Sequence, residues 1–283
     1  MIRINPACLF LSVSLSLLSC GGVSDEKADK NRTDSLPETD SVATGTTRNF
    51  FYSLPSPLAM AAVYKSSGMK YNEALINPAD KVSKYNSQRS MALNMGVYHS
   101  DLAYTLINGQ TQLALKYLDV IKTLSDGLKM SSIFDTEEYV KRFRDNVNHI
   151  DSLKKITADL KGEADLFLYD NNRHNTALFI FTGAWTESMY IATQSVKSGK
   201  SDLVVTTVAE QKYILDNLMT LLSDYEKEPT FKDLFLELNN VKISLDKMVR
   251  QGENEEARVE INEGDLNELT EKVVSLRTKI ISE

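Results

Sequence analysis

Cysteine is nearly absent: the 283-residue chain has two, Cys8 and Cys20, both within its first twenty residues. Beyond Cys20 there can be no disulfide, thiolate metal site or cysteine nucleophile. Proline is also sparse. None occurs between Pro78 and Pro229, and so long a stretch without proline, with little β-branched alternation, reads as helix throughout. No apolar run reaches the roughly 20 residues that a bilayer-crossing helix needs. Positive charge is not in excess either: 32 Lys and Arg against 39 Asp and Glu leave a net charge of −7. The cations are scattered among acids, which argues against nucleic acid as a partner and against a polybasic membrane contact.

Catalytic motifs are missing too. There is no His-Glu-x-x-His, no phosphate-cradling glycine loop and no Gly-x-Ser-x-Gly elbow. The three histidines, His99, His149 and His174, have no Glu three residues before them, so the paired motif of a di-iron bundle is absent. His99-Ser100-Asp101 places triad residue types side by side, but neighbours on a helix point in different directions and cannot form a triad. The sequence calls for no metal and no cofactor.

What the chain does have begins at its N-terminus. Arg3 precedes an apolar run, Cys8 to Leu18, of eleven residues, the layout of a secretory leader and too short to span a bilayer. The run closes on Leu17-Leu18-Ser19-Cys20, which resembles the bacterial lipobox. That resemblance implies a signal peptide over 1–19 and a mature chain starting at Cys20, with diacylglycerol on its sulfur and an acyl group on its amine. A plain secretory leader with a cysteine at its cleavage site is the competing reading. Position, run length and the following Gly21-Gly22 favour the lipobox. Several acyl chains give firm attachment where one is marginal, so the expected location is the bacterial cell envelope, lipid-anchored and at the outer membrane, on either face.

Residues 20–49 hold the candidate lipidated cysteine and a tether without aromatic residues and with hardly any large aliphatic. Such a composition cannot bury enough apolar surface to fold, and its root-mean-square reach is roughly 30 Å. Ser24-Asp25-Glu26 is a solvated charge run that loosely resembles the acidic surface-export signals of Bacteroidota lipoproteins. Asp34-Ser35-Leu36 and Asp40-Ser41-Val42 fit the short O-glycosylation motif of that phylum, which makes Ser35 and Ser41 candidate sugar sites.

From about residue 50 to 283 the pattern is that of one all-helical domain. Ser56-Pro57 opens a first helix that ends before Gly68. Met91, Met95, Tyr98, Leu102 and Leu106 form the stripe of the next, which ends at Asn108-Gly109. Leu113 to Leu124 gives its antiparallel neighbour, closing near Gly127. Asp135 with Glu138 reads as a capping box for a helix whose face is Tyr139, Phe143, Val147 and Ile150, continued or followed by another to about Tyr169. A helix from about Asn172 to Val196 contains the stretch Ala177 to Ala192, with Trp185, the only tryptophan, and Gly183. Further helices span Val204 to Leu222 and Pro229 to Met248. Gln251 to Asn262 reads as a loop, and Asp265 with Glu268 as the cap of a last helix.

An internal echo links two of these helices. Gly96-Val97-Tyr98 and Gly183-Ala184-Trp185 are 87 residues apart, and Lys116-Tyr117-Leu118 matches Lys212-Tyr213-Ile214 further on. They suggest two related halves, 86–171 and 172–250, or two hairpins that are alike because amphipathic hairpins are. The expected fold is all-α, an antiparallel multi-helix array of stacked helical hairpins. Tyr52 to Pro78, Ala92 to Tyr104 and Gly183 to Thr193 together resemble an uncharacterised family of helical Bacteroidota-type lipoproteins. This resemblance covers most of the body, implies helices on a lipid anchor and assigns no functional residue.

With an anchor, a tether and stacked helices but no catalytic constellation, the leading expectation is a non-enzymatic interaction or assembly protein with an envelope protein partner. The alternative is a small-molecule or lipid-binding protein, its cavity lined by aromatic residues drawn from Tyr98, Tyr104, Phe179, Phe181, Trp185 and Tyr190. An enzyme of new type would be a third class. The candidate pocket residues are Trp185, Glu187, Tyr98 and Asp101. The last pairs with Glu187 because the two fall nearly in register in the echo, where two inner carboxylates could act as an acid/base pair or as metal ligands.

Overall fold

A computed structural model describes residues 55–133, 136–198, 201–251, 257–259 and 262–283. Cys20, Ser35, Ser41, Asp135 and Gly199 lie outside them. The first helix, α1 (Pro57–Ser66), begins as its sequence requires: the Ser56 hydroxyl accepts from Ala59 N at 3.2 Å, and Pro57 fills the first position, where an N–H would be idle. Two short 3-10 turns, Glu73–Leu75 and Ala79–Lys84, carry the chain to α2 (Gln88–Ile107), which is capped reciprocally by Ser87 and Ser90. Gly109, at φ +73°, reverses the chain into α3 (Thr111–Gly127).

The Tyr139–Ile150 stripe does not form one helix. The chain breaks at 146–149 into α4 (Thr136–Asp145) and α5 (Ile150–Asp170). Asn172 takes φ +53° as the left-handed stop of α5, so α6 (His174–Ser198) starts two residues later than the periodicity suggests. There follow α7 (Asp202–Leu222), α8 (Pro229–Met248) and α9 (Glu263–Ser282).

Two expectations need correction. The expected loop from Gln251 to Asn262 begins in a two-strand antiparallel ribbon, in which Val249 faces Val259 and Gln251 faces Ala257. Three-residue strands are too short to leave an alternation in the sequence. The cap of α9 is Asn262, whose Oδ1 accepts from Gly264 N at 2.8 Å, rather than Asp265. Glu268 cannot complete a box because its carboxylate is taken by Lys247 of α8 at 2.6 Å and by Lys272 at 3.1 Å.

The body is all-α, as the periodicity predicts, and its neighbours pair as antiparallel hairpins. Lys212 and Asp216 of α7 meet Asp246 and Lys242 of α8, and Lys247 of α8 meets Glu268 of α9. The centre is different. There α2 packs against α6 more extensively than any other two helices meet, and the two run in the same direction. Gly96 abuts Ile180 and Ala184, Gly183 abuts Leu93, and Ser100 donates to Ala184 O at 2.7 Å. The contact is reciprocal: a Cβ on Gly96 would lie 1.9 Å from Ile180 O, and one on Gly183 would lie 1.9 Å from Leu93 O. Only glycine at both positions lets the backbones approach this closely. The downstream part of the echo differs in environment, since Tyr117 is buried and Tyr213 is 52% exposed. Around the centre pair stand α1, α3, α7 and α9, while α4 and α5 form an arm more lightly attached through α3 and α6. Among the described residues, no helix is long and apolar enough to cross a membrane.

Candidate functional site

Asp101 on α2 and Glu187 on α6 come together in the centre pair, both without solvent exposure. Arg277 reaches them from α9. Its Nε donates to Glu187 Oε2 at 2.7 Å and its Nη2 to Oε1 at 2.8 Å, and Nη2 also donates to Leu75 O at 3.2 Å. The guanidinium carbon lies 4.0 Å from the centre of the Tyr190 ring. Asp101 Oδ2 accepts the Asn77 backbone N–H at 3.1 Å, while Oδ1 receives no N–H or hydroxyl donor among the described residues.

Two carboxyl groups facing one guanidinium leave a surplus negative charge in a dry site, which is costly. A proton on Asp101, donated toward Glu187, removes the surplus and occupies the idle oxygen. Burial first, and then the neighbouring Glu187 charge, push the Asp101 carboxyl well above its ordinary 3.8. Burial raises Glu187 too, but Arg277 opposes this, so Glu187 is the ionised member. Burial pulls Arg277 down, and Glu187 more than offsets that. The cluster is therefore a neutral three-part bolt joining α2, α6 and α9. Because folding raises the Asp101 value, the native state holds a proton that the unfolded chain releases above about pH 4. Stability is thus expected to fall as pH rises from there through the folded-state value. Denaturant titrations of Asp101→Asn across that range should show this slope reduced; an unchanged slope would place the proton elsewhere.

Tyrosine hydroxyls strap the segment before α2 onto the bolt. Tyr98 donates to Pro78 O at 2.9 Å, Tyr117 to Asn77 O at 2.7 Å and Tyr104 to Lys70 O at 3.1 Å. Burial raises all three phenols, so they remain protonated donors at neutral pH.

A second feature lies on the other side of the centre pair. Between α2, α3 and α6 on one wall and the α4–α5 arm on the other is a cavity of about 140 Å³. Its walls are mostly aliphatic, and four of the residues facing it are alanines: Ala103, Ala164, Ala177 and Ala184. Short side chains on three different helices leave the space unfilled. The half-buried lining residues Pro55, Ser56, Pro57, Thr157, Lys161 and Asp165 mark the side nearest the surface. There Lys161 is paired with Asp165 at 2.6 Å. His99, half-buried on α2, also lines the cavity and makes no hydrogen bond among the described residues. Burial pushes its imidazole down to about 4, so it is neutral at physiological pH.

Of the four candidate pocket residues, the structure brings Asp101 and Glu187 together and places Tyr98 beside them as a strap, whereas Trp185 is buried apart from the cavity with its indole N–H unpartnered among the described residues. Of the six aromatic residues proposed as a lining, only Phe181 lines the cavity. Phe179 stacks on Phe231 with ring centres 4.3 Å apart, and Tyr190 lies under Arg277. Sequence reasoning missed Arg277 and the cavity role of His99. Arg277 follows the buried Thr270 by one heptad, but that burial shows only in the fold, so the sequence alone does not mark it. Among the described residues, no group of three or more His, Cys, Asp or Glu could hold a metal ion. Compared with known protein families, curated proteins and solved structures, the chain matches none of them.

Proposed function

We propose that this is a lipid-anchored protein of the bacterial envelope whose helical body binds an apolar ligand without transforming it. The observation that carries the reading is the cavity beside the centre pair: partly open toward the surface, mostly aliphatic and close to the 150 Å³ scale at which a cavity admits a benzene-sized group. The bolt of Asp101, Glu187 and Arg277 fits a structural role, since Asp101 and Glu187 are wholly buried and their partners are supplied by the chain itself. The anchor at Cys20 and the tether would hold the cavity near a membrane, the richest local source of apolar molecules. An assembly role with a protein partner has less support from the body. Its exposed large apolar side chains, Val63, Leu166, Leu203, Tyr213, Leu236 and Ile243, are spread over four helices, a scatter ordinary for a folded surface.

The test is solvent extraction of the protein purified from its own membranes, followed by mass spectrometry. An apolar molecule near one per chain is expected, and Ala164→Phe, which fills the cavity from the arm, should lose most of it. Wild-type protein that carries none, and that is not stabilised by millimolar benzene, would refute ligand binding. In the same cells, Cys20→Ala should move the protein out of the membrane fraction. Retention there would refute the anchor.

A further inference from the structure

The cavity is not uniformly apolar: among the described residues that line it, His99 makes no hydrogen bond, and this narrows what the cavity can hold. We propose that its ligand is a neutral molecule with a benzene-sized apolar part and a single hydroxyl group, and that His99 hydrogen-bonds that hydroxyl. This inference rests on the ligand-binding reading above and names the chemical class the site selects.

Charge is the first criterion. Among the described residues, the only cation lining the cavity is Lys161, and its ammonium is held by Asp165 at 2.6 Å. A carboxylate or phosphate ligand would have to break that pair or enter uncompensated, and an unpaired charge is strongly disfavoured in such surroundings. A cationic ligand meets the same pair from the other side. His99 supplies no countercharge, since burial keeps its imidazole neutral.

Hydrogen bonding is the second. A neutral imidazole has one N–H donor and one lone-pair acceptor. Neither is used by His99 among the described residues, whereas the polar side chains that α5 presents on the cavity are paired. Thr157 has given its hydrogen to Leu153 O and Lys154 O, and Lys161 and Asp165 hold each other. A pure hydrocarbon would offer the imidazole no partner. A hydroxyl can either donate to the ring or accept from it, so it suits whichever tautomer is present. Size is the third: about 140 Å³ accommodates one six-membered ring or a short branched chain, and a longer ligand would extend past Pro55 and α5.

Met95 and Met130 both line the cavity, so their methyl groups report what enters it. The experiment titrates the full chain, labelled at methionine methyls, with benzene, phenol and sodium benzoate, followed by NMR. Benzene and phenol are each expected to shift Met95 and Met130, with phenol binding roughly tenfold tighter, and benzoate to leave both unmoved. His99→Leu should bring phenol down to the affinity of benzene while benzene still shifts both methyls, which also shows that the variant is folded. His99→Gln, which keeps a donor and an acceptor, should retain part of the preference. If none of the three probes moves Met95 or Met130, the ligand-binding reading fails and this inference with it. If benzene and phenol bind equally, if benzoate binds as well as phenol, or if His99→Leu keeps the preference, the cavity still binds ligand but the hydroxyl assignment is overturned.

Discussion

Gly183→Ala is expected to destabilise the protein by about 3 kcal/mol or more, although alanine is the better helix former by about 1 kcal/mol. The added methyl would lie 1.9 Å from the Leu93 carbonyl oxygen and 2.8 Å from its carbon. Both are backbone atoms of a buried helix and cannot rotate aside. Relief requires α2 and α6 to separate by roughly 1.5 Å, which stretches the Ser100 to Ala184 hydrogen bond and opens the Asp101–Glu187 contact. Gly96→Ala meets the same obstacle from the other side, against Ile180 O at 1.9 Å and Ala184 N at 2.6 Å. Gly162→Ala on α5 is the control: nothing lies within 4 Å of its new methyl, so helix propensity should prevail and the protein should gain up to about 1 kcal/mol. Urea titrations of the three variants decide the matter. If Gly183→Ala proves neutral or stabilising, the close crossing of the centre pair is wrong.

Arg277→Leu carries the second large effect. It removes the only cation bonded to Glu187 among the described residues and leaves a carboxylate buried beside the Asp101 carboxyl, a loss of about 3–5 kcal/mol. Part of that cost is stranded charge rather than lost attraction, and adding Glu187→Gln separates the two. The double variant should recover at least half of the stability lost, because an amide needs no countercharge and can still accept the Asp101 proton. A single variant within about 1 kcal/mol of wild type would show that Glu187 is neutral in the native state. A double variant no better than the single would show that Arg277 acts through its stacking on Tyr190 and its bond to Leu75 instead.

Most of the helices are legible in the apolar spacing, because a helix that buries one face must repeat it every three to four residues. The glycine match between Gly96 and Gly183 is also legible, and the structure gives it a physical content, a reciprocal backbone contact. Glu187 can be singled out as a carboxylate on the helix that carries the apolar run Ala177 to Phe181. Its partner cannot, since Arg277 sits among other charged residues of α9 and becomes central only when that helix lands on α6. The cavity is the least legible of all. Ala103, Ala164, Ala177 and Ala184 are ordinary helix formers one by one, and the space exists only where α2, α5 and α6 converge. The same holds for the cap of α9: local spacing favours Asp265 with Glu268, but α8 claims Glu268 first.

The bolt also imposes an order on how the molecule can be completed as it is made. Arg277 closes on Glu187 across 90 residues and on Leu75 across 202, and α9 further accepts Asn94 at Ile280 O and Tyr85 at Ile281 O. Until α9 has emerged, a chain in which α2 and α6 have already met holds Asp101 and Glu187 in an apolar centre without their cation. Early closure is therefore penalised, and the half-built body stays loose and open. If the chain crosses a membrane before it folds, as the proposed anchor requires, that delay would keep it extendable during transit.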